Sequence, residues 1–159
     1  MADLILFTDG SVNPQSNIGY GAYLIVPEEE LSLDLLKASV KVKRFEQTSS
    51  TKLELQTLLW ALSDIQALGQ RVMVYTDSQN IISLQRRRDQ FEKNDYQSKK
   101  NKRIKNYKLY QEFYRIIDQL DCEFVKVRGH KVSNQKDGID RLFTLVDKAS
   151  RNALRADNQ

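Results

Sequence analysis

Four acidic residues stand in sequence contexts able to build a site for a hard divalent metal. Asp9 closes the run Leu4-Ile5-Leu6-Phe7-Thr8-Asp9-Gly10-Ser11, and Asp77 closes Val72-Met73-Val74-Tyr75-Thr76-Asp77-Ser78. Glu54 sits in Thr51-Lys52-Leu53-Glu54-Leu55-Gln56, and Asp147 in Leu145-Val146-Asp147-Lys148-Ala149-Ser150-Arg151. A carboxylate at the end of a buried strand is held where the chain leaves the sheet, which is where α/β proteins build their sites. One such acid means little, since Asp9 before Gly10-Ser11 reads equally well as a turn former and Asp77 before Ser78 as a helix cap. Four that converge give an all-oxygen ligand set of the kind Mg²⁺ and Mn²⁺ prefer.

The elements that must position these acids follow from periodicity. Residues 3–8 read as a buried strand, Asn13-Pro14 and Gly19 as a turn, and Tyr20–Val26 as the next strand. Pro27 and the Glu28-Glu29-Glu30 run break it, and residues 28–37 fit either a short helix or a loop. Val40–Phe45 alternates apolar and basic residues, as a half-buried or edge strand does. Thr51 with Glu54 three residues on has the spacing of a capping box. Apolar residues at 55, 58, 59, 62, 65 and 68 then keep helical spacing up to Gly69. Val72–Thr76 is a strand, Ser78 opens a helix, Tyr107–Leu120 is a helix, and Cys122–Val127 is a strand. Residues 129–138 form a polar loop before a last helix from about Ile139 to Leu154. The order β-β-β-α-β-α-α-β-α predicts an α/β fold in one domain spanning 1–159: a mixed five-stranded sheet, three antiparallel strands followed by parallel ones, flanked by helices.

Charge is concentrated. Residues 86–108 hold ten bases against three acids, a net +7 in a chain whose total is +4, so the remainder carries −3. A basic projection on an acidic body points to a polyanionic partner. No apolar run approaches the ~20 residues of a membrane helix, so no membrane role is expected. The N-terminus lacks a basic leader and a long apolar segment, so no secretory signal is expected. With Cys122 the only cysteine, no intrachain disulfide or cysteine-based zinc site forms and a cytoplasmic location fits. Cys122 itself reads as a small core residue.

Taken together, the motifs resemble the type 1 ribonuclease H family over nearly the whole chain. Thr8-Asp9-Gly10-Ser11 resembles its first-strand motif, Gly19-Tyr20-Gly21-Ala22 its second, and Thr51-Lys52-Leu53-Glu54-Leu55 the helix carrying its glutamate. Thr76-Asp77-Ser78-Gln79, Arg128-Gly129-His130 and Asp147-Lys148-Ala149-Ser150-Arg151 resemble the third motif, the loop after the last strand and the final helix. Each is weak alone; their order and separation are specific.

The resemblance implies endonucleolytic hydrolysis of the RNA strand of RNA–DNA hybrids with two Mg²⁺ or Mn²⁺ ions, giving 5′-phosphate and 3′-hydroxyl ends. It implies Asp9 as the bridging ligand, with Glu54, Asp77 and Asp147 completing the set. Asp140 is the alternative fourth ligand: it lies ten residues after His130, against 17 for Asp147, but bulky Phe143 follows it while Ala149 and Ser150 follow Asp147. His130, the only histidine, would shuttle a proton or assist product release, because carboxylate oxygens suit Mg²⁺ better than imidazole does.

The resemblance further implies hybrid contacts from Gly10, Ser11, Asn13, Ser50, Thr51 and Gln79, and phosphate contacts from a basic handle at about 86–108. Arg86, Arg87, Arg88, Lys99, Lys100 and Lys102 lead that handle, with Phe91, Tyr96 and Tyr107 among them. Ser50 and Thr51 stand where many relatives carry two asparagines, and Val12–Asn17 where many carry a glycine-rich turn. No separate N-terminal hybrid-binding module is expected, and one chain, a monomer, suffices. A non-catalytic nucleic-acid-binding module on the same fold is the alternative, and it predicts a lost carboxylate. A related nuclease acting on DNA junctions or 3′ ends ranks lower, because the basic handle does not belong to it.

Overall fold

The computed structural model describes residues 4–26, 32–65, 70–128 and 138–158. Five strands form one sheet: β1 (Leu4–Asn13), β2 (Ile18–Val26), β3 (Lys41–Phe45), β4 (Arg71–Thr76) and β5 (Asp121–Lys126). Their spatial order is β3-β2-β1-β4-β5. β1 and β2 pair antiparallel, as do β2 and β3, whereas β4 runs parallel to β1 and β5 parallel to β4. This is the mixed sheet that the element order predicts.

The helices are α1 (Leu33–Ala38), α2 (Ser50–Ile65), α3 (Gln79–Lys93), α4 (Tyr107–Gln119) and α5 (Gly138–Asp157). Alternation along the central strands sends side chains to opposite faces. Leu6, Tyr23, Val72 and Val74 join Leu55, Leu58 and Leu62 of α2, Ile81 and Leu84 of α3, and Phe113 of α4 in one core. Phe7, Ala22 and Leu24 join Leu36 of α1, Val127, and Phe143 and Val146 of α5 in the other. Two residues one step apart on β1 thus belong to different cores, which is how a strand buried on both faces comes to read as a continuous apolar run.

Helix α2 lies unusually close to the sheet. A Cβ on Gly21 would stand 2.0 Å from Thr57 Oγ1, and one on Gly10 2.9 Å from Leu53 Cδ2. Gly21 in particular leaves no room for a side chain if α2, which carries Glu54, is to settle where it does.

Three sequence expectations change. β1 does not end at Asp9: its parallel pairing with β4 stops at Phe7↔Tyr75, but its antiparallel pairing with β2 runs on to Asn13↔Ile18. Gly19 lies inside β2, opposite Val12, rather than in the turn. The cap of α2 is Ser49, whose Oγ accepts from Lys52 N–H at 3.3 Å and whose carbonyl accepts from Leu53 N–H at 2.8 Å. Thr51 is already in the first helical turn, so Thr51 and Glu54 make no capping box. Glu54 is spent elsewhere.

Within 28–37, the described part from Leu33 is helical, with Ser32 Oγ accepting from Leu35 N–H at 3.2 Å. Cys122 is half-buried against the first core, and burial, with Asp121 beside it, pushes its thiol up to about 11. Leu68, Gly69 and the polar loop through residue 137 lie outside the described residues.

Candidate active site

The elements bring all four acids to one end of the sheet. Asp9 stands on β1 just past the last pair that β1 makes with β4, and Asp77 just past the last residue of β4. Asp9, Glu54 and Asp77 line one cleft with Thr8, Thr57, Thr76 and Ile81. Asp147 reaches Asp9 from the other side of the sheet, from α5, and its carboxyl stands beside that of Asp9. Asp140 is two helical turns away. It is buried beside Tyr75, Val125, Val127 and Ile139, in a pocket on the β5 side. The geometry gathers Asp147, not Asp140, with Asp9.

Glu54 is held by a relay. Thr76 Oγ1 accepts from Ser78 N–H at 3.1 Å, Ser78 Oγ accepts from Ile81 N–H at 3.2 Å, and Ser78 donates to Glu54 Oε2 at 2.6 Å. One serine therefore caps α3 and fixes a carboxylate, which satisfies an orphan helix N–H and aims the acid at once. Asp147 is held by Arg151 one turn on, with Nη2 donating to Oδ2 at 2.6 Å. Ser78 and Arg151 hold functional side chains in place, although local sequence offers only a cap signal for the first and i,i+4 spacing for the second.

Crowding of negative charge shows in the protonation of the cluster. Burial is the main cause that pushes Asp9 up to about 9; the Asp77 charge and the Asp147 carboxyl add to it, and the Gly10 N–H opposes it. Glu54 is also raised, by burial first and by Asp77, against the lowering effect of the Ser78 hydrogen bond. Like charges gathered in a low-dielectric cleft keep protons in this way.

The donor set, four carboxylates and no soft ligand, fits a hard divalent cation, which would offset the charge that now keeps Asp9 protonated. Among the described residues no three acidic, histidine or cysteine side chains already surround a common point. The fit is therefore one of chemistry and charge rather than of a preformed cage.

Residues expected to meet a polyanion divide into two groups. Ser50 is exposed and Thr51 half-buried in the first turn of α2. Gln79 opens α3, its Oε1 accepting from Lys126 Nζ at 2.8 Å; Lys126, at the end of β5, has no motif to mark it. Asn13 Oδ1 accepts from Gln15 N–H at 3.0 Å, and its Nδ2 donates to Asn158 Oδ1 at 3.4 Å. Ser11 Oγ lies 3.0 Å from Ser150 Oγ.

In the basic segment Arg86, Lys99, Lys100 and Lys102 are exposed. Arg88 is committed inside the protein, forming a two-pronged pair with Asp118 of α4 at 2.6 and 2.7 Å and a third bond to Glu92 at 2.8 Å. Arg87 binds Asn80 and lies over the Phe91 ring, 5.1 Å from its centroid. Phe91 in turn stacks on Tyr96 and Tyr110, so two of the segment's aromatics serve its own packing. His130 lies outside the described residues.

Comparison with known proteins places the chain in a family. The RNase H family model matches residues 1–149. The chain belongs to the RNase H family. Among curated proteins it is similar to Ribonuclease H of Caldicellulosiruptor saccharolyticus, 25% identical over 160 residues and covering 98% of each chain. It is also similar to Ribonuclease H of Acetivibrio thermocellus, 28% identical over 149 residues and covering 91% of this chain and 94% of that one. Among solved structures, the PFV RNase H domain in solution superposes with TM-score 0.73 at 18% identity, over 94% of this chain and 93% of that one. A foamy viral protease-reverse transcriptase in complex with RNA/DNA hybrid superposes with TM-score 0.72 at 13% identity, over 94% of this chain and 19% of that one. These structures share the fold, and the full-length curated relatives make this chain a ribonuclease H enzyme. Among the described residues no helix is long and apolar enough to cross a membrane.

Proposed function

We propose that this RNase H hydrolyses the RNA strand of RNA–DNA hybrids endonucleolytically, leaving 5′-phosphate and 3′-hydroxyl ends. The observation that carries the proposal is the gathering of Asp9, Glu54 and Asp77 in one cleft at one end of the sheet, with Asp147 of α5 beside Asp9. These four side chains would hold two divalent ions, Mg²⁺ or Mn²⁺. When bound, the ions supply charge neutralisation, activation of water and stabilisation of the leaving oxygen.

The chain's own residues do the rest. Ser78 fixes Glu54, and Arg151 steadies Asp147. His130 would shuttle a proton or assist product release. Gln79, with its carbonyl oxygen engaged by Lys126, turns its amide N–H₂ outward as a donor to ribose or base-edge acceptors. The backbone at Gly10 and Ser11 and the first turn of α2, with Ser50 and Thr51, would face the strands, where the 2′-hydroxyl tells RNA from DNA. The exposed bases of the 86–108 handle, Arg86, Lys99, Lys100 and Lys102, supply sequence-independent phosphate contacts. Arg87 and Arg88 hold the handle together. The chain would act as one catalytic domain spanning 1–159 and as a monomer, in a reducing cytoplasm.

The test is incubation of labelled RNA–DNA hybrid and of duplex DNA with the protein and Mg²⁺. The proposal expects RNA fragments bearing 5′-phosphates and intact DNA. Hybrid that is bound but uncut would remove it.

A further inference from the structure

The strand that carries Asp9 and the helix that carries Asp147 meet at three polar points. Asp9, Ser11 and Asn13 project from the same face of β1 by alternation. Asp9 faces Asp147, Ser11 Oγ lies 3.0 Å from Ser150 Oγ, and Asn13 meets Asn158 at 3.4 Å. The middle contact is the buried one, since Ser150 has no exposed surface.

Its protons can be assigned. Ser150 donates to the Asp147 carbonyl at 3.0 Å, and a hydroxyl has one proton, so Ser11 is the donor in the pair. Ser11 is thereby tied through Ser150 to the backbone of Asp147 itself. Nearby, α5 packs on the sheet through Phe143 and Val146, and its exposed end is held by Asp157, whose Oδ2 accepts from Arg44 Nε of β3 at 3.0 Å. Apolar contacts resist separation but set register poorly, whereas a buried hydroxyl pair is satisfied in one register only.

We propose that the Ser11–Ser150 hydroxyl pair is a positioning device, fixing the register of α5 on β1 so that the Asp147 carboxyl stays beside Asp9. This rests on the functional reading above. The hydroxyl pair ties α5 to β1 one helical turn from Asp147.

The test is a Mg²⁺ titration followed by the rise in thermal midpoint, which reads metal binding without cleavage, with cleavage measured in parallel. Wild type is compared with Ser150→Ala, Ser11→Ala, the double variant and Asn158→Ala. The proposal expects the Mg²⁺ midpoint to rise about three- to tenfold in each serine variant, the worth of one hydrogen bond. The double variant should move no further than either single one, because the two groups act as a pair. Cleavage should recover at high Mg²⁺. Asn158→Ala, on the exposed outer contact, should keep the wild-type midpoint. An unchanged midpoint in both serine variants, with wild type still responding to Mg²⁺, would overturn the positioning role and leave the functional reading intact. No Mg²⁺ response in wild type would overturn both.

Discussion

Replacing Asp9 by asparagine should make the metal-free protein more stable while removing its chemistry. Burial and the neighbouring acids push Asp9 from the ordinary 3.8 up to about 9. A carboxyl whose folded pKa is raised contributes stability that is full below its unfolded pKa and is lost as pH rises through the folded one. For Asp9 that window runs from about 4 to about 9. At pH 7 the folded chain must keep a proton that the unfolded chain would have released about three pH units earlier. At about 1.4 kcal/mol per unit this sets an upper limit of about 4 kcal/mol on the cost. Side-chain relaxation and an effective interior dielectric near 20 bring the realised gain of Asp9→Asn to on the order of 1–2 kcal/mol. For a chain of this size that is a rise in thermal midpoint of roughly 3–6 °C. Thermal unfolding in EDTA from pH 4 to pH 9 measures it. The gap between variant and wild type should be near zero at pH 4 and widen toward pH 9. With Mg²⁺ it should shrink, because the metal offsets the repulsion in wild type only. A variant less stable than wild type at every pH, or a gap that does not change with pH, would refute the electrostatic account of this cleft.

Gly21→Ala places a methyl 2.0 Å from Thr57 Oγ1. It should cost about 1–3 kcal/mol in urea unfolding as α2 is forced off the sheet, and it should lower cleavage because Glu54 moves with α2. Ser78→Ala removes both the α3 cap and the bond to Glu54. About 1 kcal/mol of stability should go with the cap, with a drop in cleavage at limiting Mg²⁺ that excess Mg²⁺ partly restores. Arg88→Ala should lower the thermal midpoint without changing the salt dependence of hybrid binding. The Lys99, Lys100 and Lys102 triple alanine variant should leave the midpoint in place and flatten the slope of log affinity against log salt, by up to about 0.9 for each phosphate no longer neutralised.

Much of this fold is legible in the sequence because its strands are short apolar runs with clear punctuation. The runs ending at Thr8-Asp9 and Thr76-Asp77 and the helical spacing after Leu55 locate the central strands and α2 without reference to any long-range contact. What stays hidden is non-local. The extension of β1 past Asp9 depends on pairing with β2, which Gly10 and Ser11 do not announce. The α2 cap falls on Ser49 because four hydroxyl residues in a row, Thr48 to Thr51, offer several frames, and packing of Leu53 against Gly10 and Gly19 chooses one. Arg88 reads as a substrate contact because its charge is visible, while its partner Asp118 lies 30 residues away. The choice between Asp140 and Asp147, both on α5, turns on which helical turn faces Asp9; residue spacing leaves it open, whereas in the fold Asp147 lies beside Asp9 and Asp140 beside Tyr75 and Val127.

The most direct test of the central claim is cleavage of one labelled RNA–DNA hybrid in Mg²⁺ by wild type, Asp9→Asn, Asp147→Asn and Asp140→Asn, each shown to be folded by circular dichroism. The account predicts cutting of the RNA strand by wild type and Asp140→Asn, and loss of cutting in Asp9→Asn and Asp147→Asn. Full activity in Asp147→Asn together with its loss in Asp140→Asn would contradict the assignment of the site, and a folded wild type that never cuts the hybrid would contradict the account as a whole.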